Sequence, residues 1–365
     1  MEVGLLMVFQ NFMDQTTDRE AWDRDIHLCS LAEPLGFDTL GAVEHHFSNY
    51  AMSPDNIQFL SYMAAKTNRI KLMTGAVILP WHENPMRIVE RMIVLDYLSN
   101  GRAMFGIGRG LARREYDTFG IDMNEARDRF DEAAECVMSG LETGVCEWET
   151  KHFKQVRTEV RPRPLESFRD RFFSVAMSSD SVPVCAKLGA RMMSFAQKPW
   201  DQMAPHFESY RELYLQHHGV APKPPICVDF MACDESAERA EALARKHMSN
   251  YYITVMEHYE MANDHFKNMK GYGDYANNAE ILKDLGMEVA GNAFVDINTW
   301  GTPQQILDKL DARRKAIGDF DLTVQISYGG MNPADAESSV RLFAEKVLPE
   351  VQSWQRMSEP LAVVG

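Results

Sequence analysis

The sequence predicts an α/β protein, a (β/α)8 TIM barrel with insertions. Three observations predict it. Short apolar runs alternate with amphipathic stretches along the chain, which implies parallel strands joined by helical crossovers. Eight such units fit into 365 residues, the span of a barrel rather than of a small open sheet. No Gly-x-Gly-x-x-Gly comes after the first run, as a doubly wound dinucleotide-binding sheet would carry. Length alone allows two domains, but barrels of this size routinely form one. Residues 1–365 are therefore read as a single domain.

The elements run in order along the chain. Val3–Phe9 is an apolar run too short for a helix. Residues 19–35 carry helical periodicity through Trp22, Ile26, Cys29 and Leu31 and stop at Gly36. Phe37–Val43 reads as strand two, residues 56–66 as a helix, and Ile70–Leu79 as strand three, stopped by Pro80. Pro85–Leu98 is an amphipathic helix closed by Asn100-Gly101, and Arg102–Gly108 is strand four. A long helix covers about 124–142. Residues 147–168 are charged and β-tinged, and read as an inserted hairpin. Phe172–Met177, Arg191–Phe195, Pro224–Met231 and Phe320–Ser327 are strands five to eight, with helices between them and a last helix over about 334–350. Residues 255–298 show weak periodicity. So long a stretch without clear structure is often functional, and it is read as a mobile lid.

Composition narrows the function. Lys plus Arg number 38 against 53 Asp plus Glu, a net charge of −15. That balance disfavours nucleic acid, whose phosphates must be neutralised. No apolar stretch approaches the roughly 20 residues needed to span a bilayer, and residues 1–12 lack the basic start of a secretory signal. The six cysteines are scattered, with no Cys-x-x-Cys pair and no metal-site spacing, which fits reduced thiols in the cytoplasm.

In a barrel, residues just after each strand lie on the catalytic face. That rule selects Glu44, His45 and His46 after strand two, Trp81 and His82 after strand three, Gly108, Arg109 and Gly110 after strand four, and Ser178, Ser179 and Ser181 after strand five. Glu44 and His45 have the chemistry of a general acid/base or charge stabiliser, or equally of a satisfied strand end. A metal reading of His45 with His46 fails on spacing. Adjacent strand residues face opposite ways, and no further ligands stand nearby in sequence, so no metal is expected. Arg109 and Arg127, with serines opening a helix, offer the donors of a phosphate site.

These residues, at these spacings, resemble the bacterial luciferase family of flavin-dependent monooxygenases. The resemblance rests on six ordered blocks: 36–39, Glu44-His45-His46-Phe47, 74–80, Gly106-Ile107-Gly108-Arg109-Gly110-Leu111, 119–124 with Arg127, and Gly301-Thr302-Pro303. It implies reduced FMN, supplied by a separate NAD(P)H:flavin reductase, and O2 that adds to the flavin as a peroxyflavin to oxygenate a small hydrophobic substrate. It maps phosphate contacts onto Arg109, Arg127, Ser178 and Ser181, the active-site histidine onto His45 and an acidic residue near the flavin onto Glu115. A non-proline cis peptide under the flavin maps onto Gly75-Ala76. It further implies a homodimer built on the helices near 56–66 and 85–98, with Met86, Val89, Met92, Ile93 and Leu95 as its apolar surface.

The sequence departs from luciferase where the flavin's neighbours matter. Gly108 replaces a reactive cysteine, Met177 replaces a carboxylate before the phosphate serine, and Ala196 stands for a tryptophan. These changes predict a non-luminescent monooxygenase. The alternatives are a deazaflavin- or flavin-dependent dehydrogenase or reductase on the same fold, a non-catalytic flavin-binding barrel, and a metal hydrolase.

Overall fold

Eight parallel strands pair side by side until the last meets the first. The computed structural model describes residues 1–261, 263–269, 272–273 and 286–357. Its barrel strands are β1 (Val3–Met7), β2 (Thr39–Ala42), β3 (Lys71–Thr74), β4 (Ala103–Gly108), β5 (Phe172–Val175), β6 (Arg191–Phe195), β7 (Ile226–Cys233) and β8 (Asp321–Gln325). β1 pairs with β2 at Leu5–Leu40 and with β8 at Val3–Leu322, and β6 pairs with β7, so the sheet closes. This is the predicted TIM barrel.

Every residue of β1, β2, β4, β7 and β8 is buried, as parallel strands covered by helices must be. The strands approach closely where side chains are missing. A Cβ on Gly106 would lie 2.1 Å from the Phe173 ring and 2.2 Å from the Thr74 carbonyl, so this glycine serves strand packing, not a ligand. At the opposite end from the catalytic face, Arg102 donates to the carbonyls of Ala64, Ile70 and Ser99. Arg171 bonds Asp96 there and the carbonyls of Gly101 and Ala103. These arginines satisfy buried backbone acceptors and tie strands to helices.

The structure differs from the sequence reading at several points. The apolar run 70–79 is not one strand. It is β3, a cis Gly75-Ala76 peptide, and a two-residue strand, Val77–Ile78, that pairs with β4. A helix, Arg113–Phe119, occupies a stretch read as connection. The inserted hairpin is antiparallel and sits earlier than expected, with Val145–Glu149 against Lys154–Glu159. Residues 255–298 contain the end of helix Ala237–His258, a 3-10 turn at Asp264–Asn268 and helix Met287–Ile297. Residues 262, 270–271 and 274–285 of the expected lid lie outside the described residues.

All six cysteines are buried and free. Among the described residues no helix is long and apolar enough to cross a membrane.

Candidate active site

A cavity of about 840 Å³ opens at the carboxyl ends of the strands. Glu44, His45, Gly75, Ala76, Trp81, Gly108, Arg109, Gly110, Glu115, Arg127, Met177, Ser178 and Ser181 line it, whereas the predicted His46, His82 and Ser179 do not. A Cβ on Gly108 would lie 2.9 Å from Ile78 Cδ1, so this glycine keeps the cavity floor open.

One wall is a hydrogen-bonded cluster around His45. Glu115 is fully buried in the first turn of helix Arg113–Phe119. Its Oε1 meets His45 Nδ1 at 3.2 Å and accepts from the His46 backbone N–H at 2.7 Å. His258 lies behind, stacked on Tyr50 with ring centroids 4.3 Å apart and its Nε2 3.7 Å from Glu115 Oε1. The Ser48 hydroxyl reaches His258 Nδ1 at 3.2 Å. Burial, with the neighbouring charges of His45 and Arg114, pushes the His258 imidazole down to about 2, so it is neutral at working pH. The donor atoms of His45, Glu115 and His258 lie within 4.8 Å of one another.

Glu44 does a different job. Burial opposes its ionisation, but the hydrogen bond with His46 and the nearby His82 imidazole, 3.7 Å away, overcome that and hold its carboxyl at about 2. Trp81 Nε1 donates to it at 2.9 Å and the Ile78 amide at 3.2 Å. With its oxygens so engaged, Glu44 ties the end of β2 to the chain after β3.

The opposite wall is cationic. The Arg127 side chain is only 14 % exposed, and Asp131 stands no closer than 3.7 Å. Its Nη2 is buried with no hydrogen-bond partner among the described residues. Burial and the adjacent Arg109 charge both pull the Arg127 pKa down. Two like charges beside a buried, unsatisfied donor are costly unless an anion enters. Ser178 and Ser181 lie at the same wall, and the Ser181 hydroxyl accepts from the amides of Met177 and Ser178 at 3.0 and 2.9 Å. These residues therefore fit the phosphate of a flavin mononucleotide.

Some lining residues had no sequence signal. Tyr259, whose hydroxyl lies 3.1 Å from His45 Nε2, is 214 positions away in the weakly periodic segment. Tyr252, Val255 and Met256 of helix Ala237–His258 and Phe294 and Ile297 of helix Met287–Ile297 form an apolar lobe. Gln325, at the end of β8, is buried with its Oε1 unpaired among the described residues.

Comparison with known proteins agrees with this geometry. The family model described as luciferase-like monooxygenase matches residues 1–319. The alkanal monooxygenase alpha chain of Photorhabdus luminescens is 25% identical over 366 residues, covering 96% of this chain and 99% of its own. The crystal structure of monooxygenase RslO1 from Streptomyces bottropensis superposes with a TM-score of 0.70 at 26% identity, covering 96% and 100% of the two chains. Two solved structures share the fold at lower identity. One is the oxygenating constituent of 3,6-diketocamphane monooxygenase from Pseudomonas putida in complex with FMN (TM-score 0.74, 20% identity, 96% and 98% covered). The other is an F420-dependent secondary alcohol dehydrogenase (TM-score 0.70, 14% identity, 95% and 98% covered). The chain belongs to the luciferase-like monooxygenase family and is an enzyme of that class.

Proposed function

We propose that the protein is the oxygenase component of a two-component monooxygenase that uses reduced FMN and O2 on a small hydrophobic substrate. The observation that carries this reading is the Arg109–Arg127 pair facing the cavity with a buried, unsatisfied guanidinium nitrogen on Arg127. A dianionic phosphate relieves both the repulsion and the unmet hydrogen bond. Reduced FMN, when bound, supplies the electrons that activate O2. Arg109, Arg127, Ser178 and Ser181 would hold its phosphate, and Gly75, Ala76, Gly108 and Met177 line the cavity where the rest of it would bind.

The remaining roles belong to the chain itself. His45 holds or moves a proton at Nε2, and Glu115 orients its ring through Nδ1. The Tyr252–Phe294 lobe receives the apolar substrate and excludes water. Val255, Met256, Tyr259 and Met261, together with Phe294 and Ile297, close over this lobe. The protein works in the cytoplasm as a homodimer, and a separate NAD(P)H:flavin reductase delivers the reduced flavin.

The test is isotopic. Anaerobic protein is loaded with reduced FMN and mixed with 18O2 and an aliphatic aldehyde or a cyclic ketone. One 18O atom in the product supports the reading, and peroxide without labelled product across the panel overturns it. The second reading is a deazaflavin-dependent dehydrogenase, which the His45–Glu115 pair also suits, because an alcohol that gives up a hydride must also give its hydroxyl proton to a base. Separate titrations with reduced FMN and reduced deazaflavin decide between them.

A further inference from the structure

We propose that Tyr259 is a catalytic residue, the cavity-facing end of a proton relay running Tyr259–His45–Glu115. This goes beyond the assignment of His45 and rests on the reading of the cavity as a site of oxygen chemistry. The argument begins with valence. His45 Nδ1 lies 3.2 Å from Glu115 Oε1. A carboxylate only accepts, so Nδ1 carries a proton. In the neutral ring Nε2 is then an acceptor, and the Tyr259 hydroxyl 3.1 Å away donates to it. Carboxylate, imidazole and hydroxyl thus stand in the order of a hydrolase triad.

Tyr259 and His45 both line the cavity, whereas His258 does not. His258 is 3 % exposed and neutral, so it does not compete for a proton. The Tyr50 hydroxyl bonds that of Tyr251 at 2.6 Å and also meets that of Tyr259. Tyr259 is half-buried at the end of helix Ala237–His258, with its ring packed edge-on against His45 and His258 at 5.8 and 4.8 Å. Among the described residues its hydroxyl lies within hydrogen-bond reach of His45 Nε2 and on the cavity wall, so it can link His45 to the substrate lobe. A phenol also titrates near 10, far below an alkyl alcohol, and so passes protons without becoming a strong nucleophile.

The step balances as a proton transfer. Protonated His45 gives its Nε2 proton to the Tyr259 oxygen, while the Tyr259 proton passes to a substrate oxygen carrying developing negative charge. One proton leaves His45, one reaches the substrate, Tyr259 ends unchanged, and Glu115 keeps the charge that balanced the imidazolium. Run backwards, the same line removes a proton from a substrate hydroxyl.

The test uses Tyr259→Phe, which keeps the ring packing, with two readouts. The first needs no flavin: 15N-histidine spectra of the free protein, with the His45 signals identified by their loss in His45→Ala. The relay requires the Nε2 signal to move in Tyr259→Phe while the Nδ1 signal stays. An unmoved Nε2 signal overturns the relay, whatever the cofactor proves to be. The second is product formation from reduced FMN and O2. Tyr259→Phe should lose about 10²-fold with reduced-FMN affinity unchanged. The double variant with His45→Ala should fall no further than His45→Ala alone, because groups acting as a unit are not additive. Multiplying losses show that Tyr259 acts apart from His45 and overturn the proposal. A wild type that oxygenates nothing, with a shifted Nε2 signal in Tyr259→Phe, counts against the monooxygenase reading and leaves the relay standing.

Discussion

The guanidinium carbon of Arg109 lies 3.9 Å from the centroid of the Tyr272 ring. The Tyr272 hydroxyl donates to the Gly110 carbonyl at 3.2 Å, and Tyr116 bonds the Arg109 carbonyl. Tyr272 is fully buried in a small apolar cluster with Phe266, Ile78, Trp81 and Tyr116. The segment expected to act as a lid therefore rests on the arginine expected to hold the phosphate.

This contact ties Tyr272 to the wall proposed to hold the flavin phosphate. A cation–π contact contributes about 1 kcal/mol, or roughly fivefold in affinity. Tyr272→Ala should weaken reduced FMN by about that factor and raise peroxide release by admitting water. Equilibrium titration and peroxide assay check the two effects. Unchanged affinity and unchanged coupling of flavin oxidation to product would separate Tyr272 from the site.

The two arginines share one wall, and their variants should share one signature. Arg127 is half-buried beside Arg109 with a nitrogen unsatisfied among the described residues. A hydrogen bond to a charged group contributes about 1.5–3 kcal/mol, so Arg127→Ala or Arg109→Ala should cost roughly 10–100-fold in reduced FMN affinity. Reduced riboflavin, lacking the phosphate, should bind both variants as it binds the wild type. Parallel losses for the two flavins would assign the arginines to the ring or the fold.

The cavity's strand-end residues were legible because position in a barrel is set by chain order: the residues at the carboxyl end of each strand gather on one face. Glu44, His45, Arg109 and Ser178 are found that way. The break in the run 70–79 left no mark in hydropathy, because Ile70–Leu79 is largely apolar, and the cis Gly75-Ala76 peptide within it was legible through the family resemblance alone. Helix Arg113–Phe119 escaped because it is short and charged, with no side-chain cap at Ala112. Tyr259 and His258 escaped for a different reason. They meet His45 across more than 200 residues, and sequence spacing carries no information about such contacts.

The proposed dimer surface shows the same limit at finer scale. Helix Pro85–Ser99 was expected to present Val89, Met92, Ile93 and Leu95 to a partner, but these are fully buried against the barrel and Met86 is half-buried. The apolar residues it exposes are Val94, Tyr97 and Leu98, and Tyr62 on helix Asn56–Ala64 is exposed as well. An exposed apolar patch of this kind marks a contact surface, and a two-fold interface uses each residue twice. Leu98→Glu should convert a dimeric wild type to monomers with unchanged far-ultraviolet circular dichroism. A wild type that sediments as a monomer at micromolar concentration would exclude the dimer.

The last prediction concerns acid stability and falls on Glu44. This carboxylate is buried yet ionised, because His46, Trp81 and the Ile78 amide hydrogen-bond it and the His82 imidazole stands 3.7 Å away. Its folded-state pKa of about 2 lies below the ordinary 4.5. A group whose pKa is depressed by folding adds stability above its unfolded pKa and loses it as the pH falls towards the folded one. At about 1.4 kcal/mol per pKa unit, Glu44 contributes on the order of 3 kcal/mol at neutral pH. That contribution should fade between about pH 4.5 and pH 2. Glu44→Gln removes the charge and turns an amide N–H towards groups that already donate, so the variant should unfold at lower urea near neutral pH. As the pH drops through that window the wild type should approach the variant, because protonation gives it the same loss. Urea unfolding of both proteins from neutral pH down through the window measures the gap. A gap that stays constant across the range would mean that Glu44 matters by its shape and not by its charge.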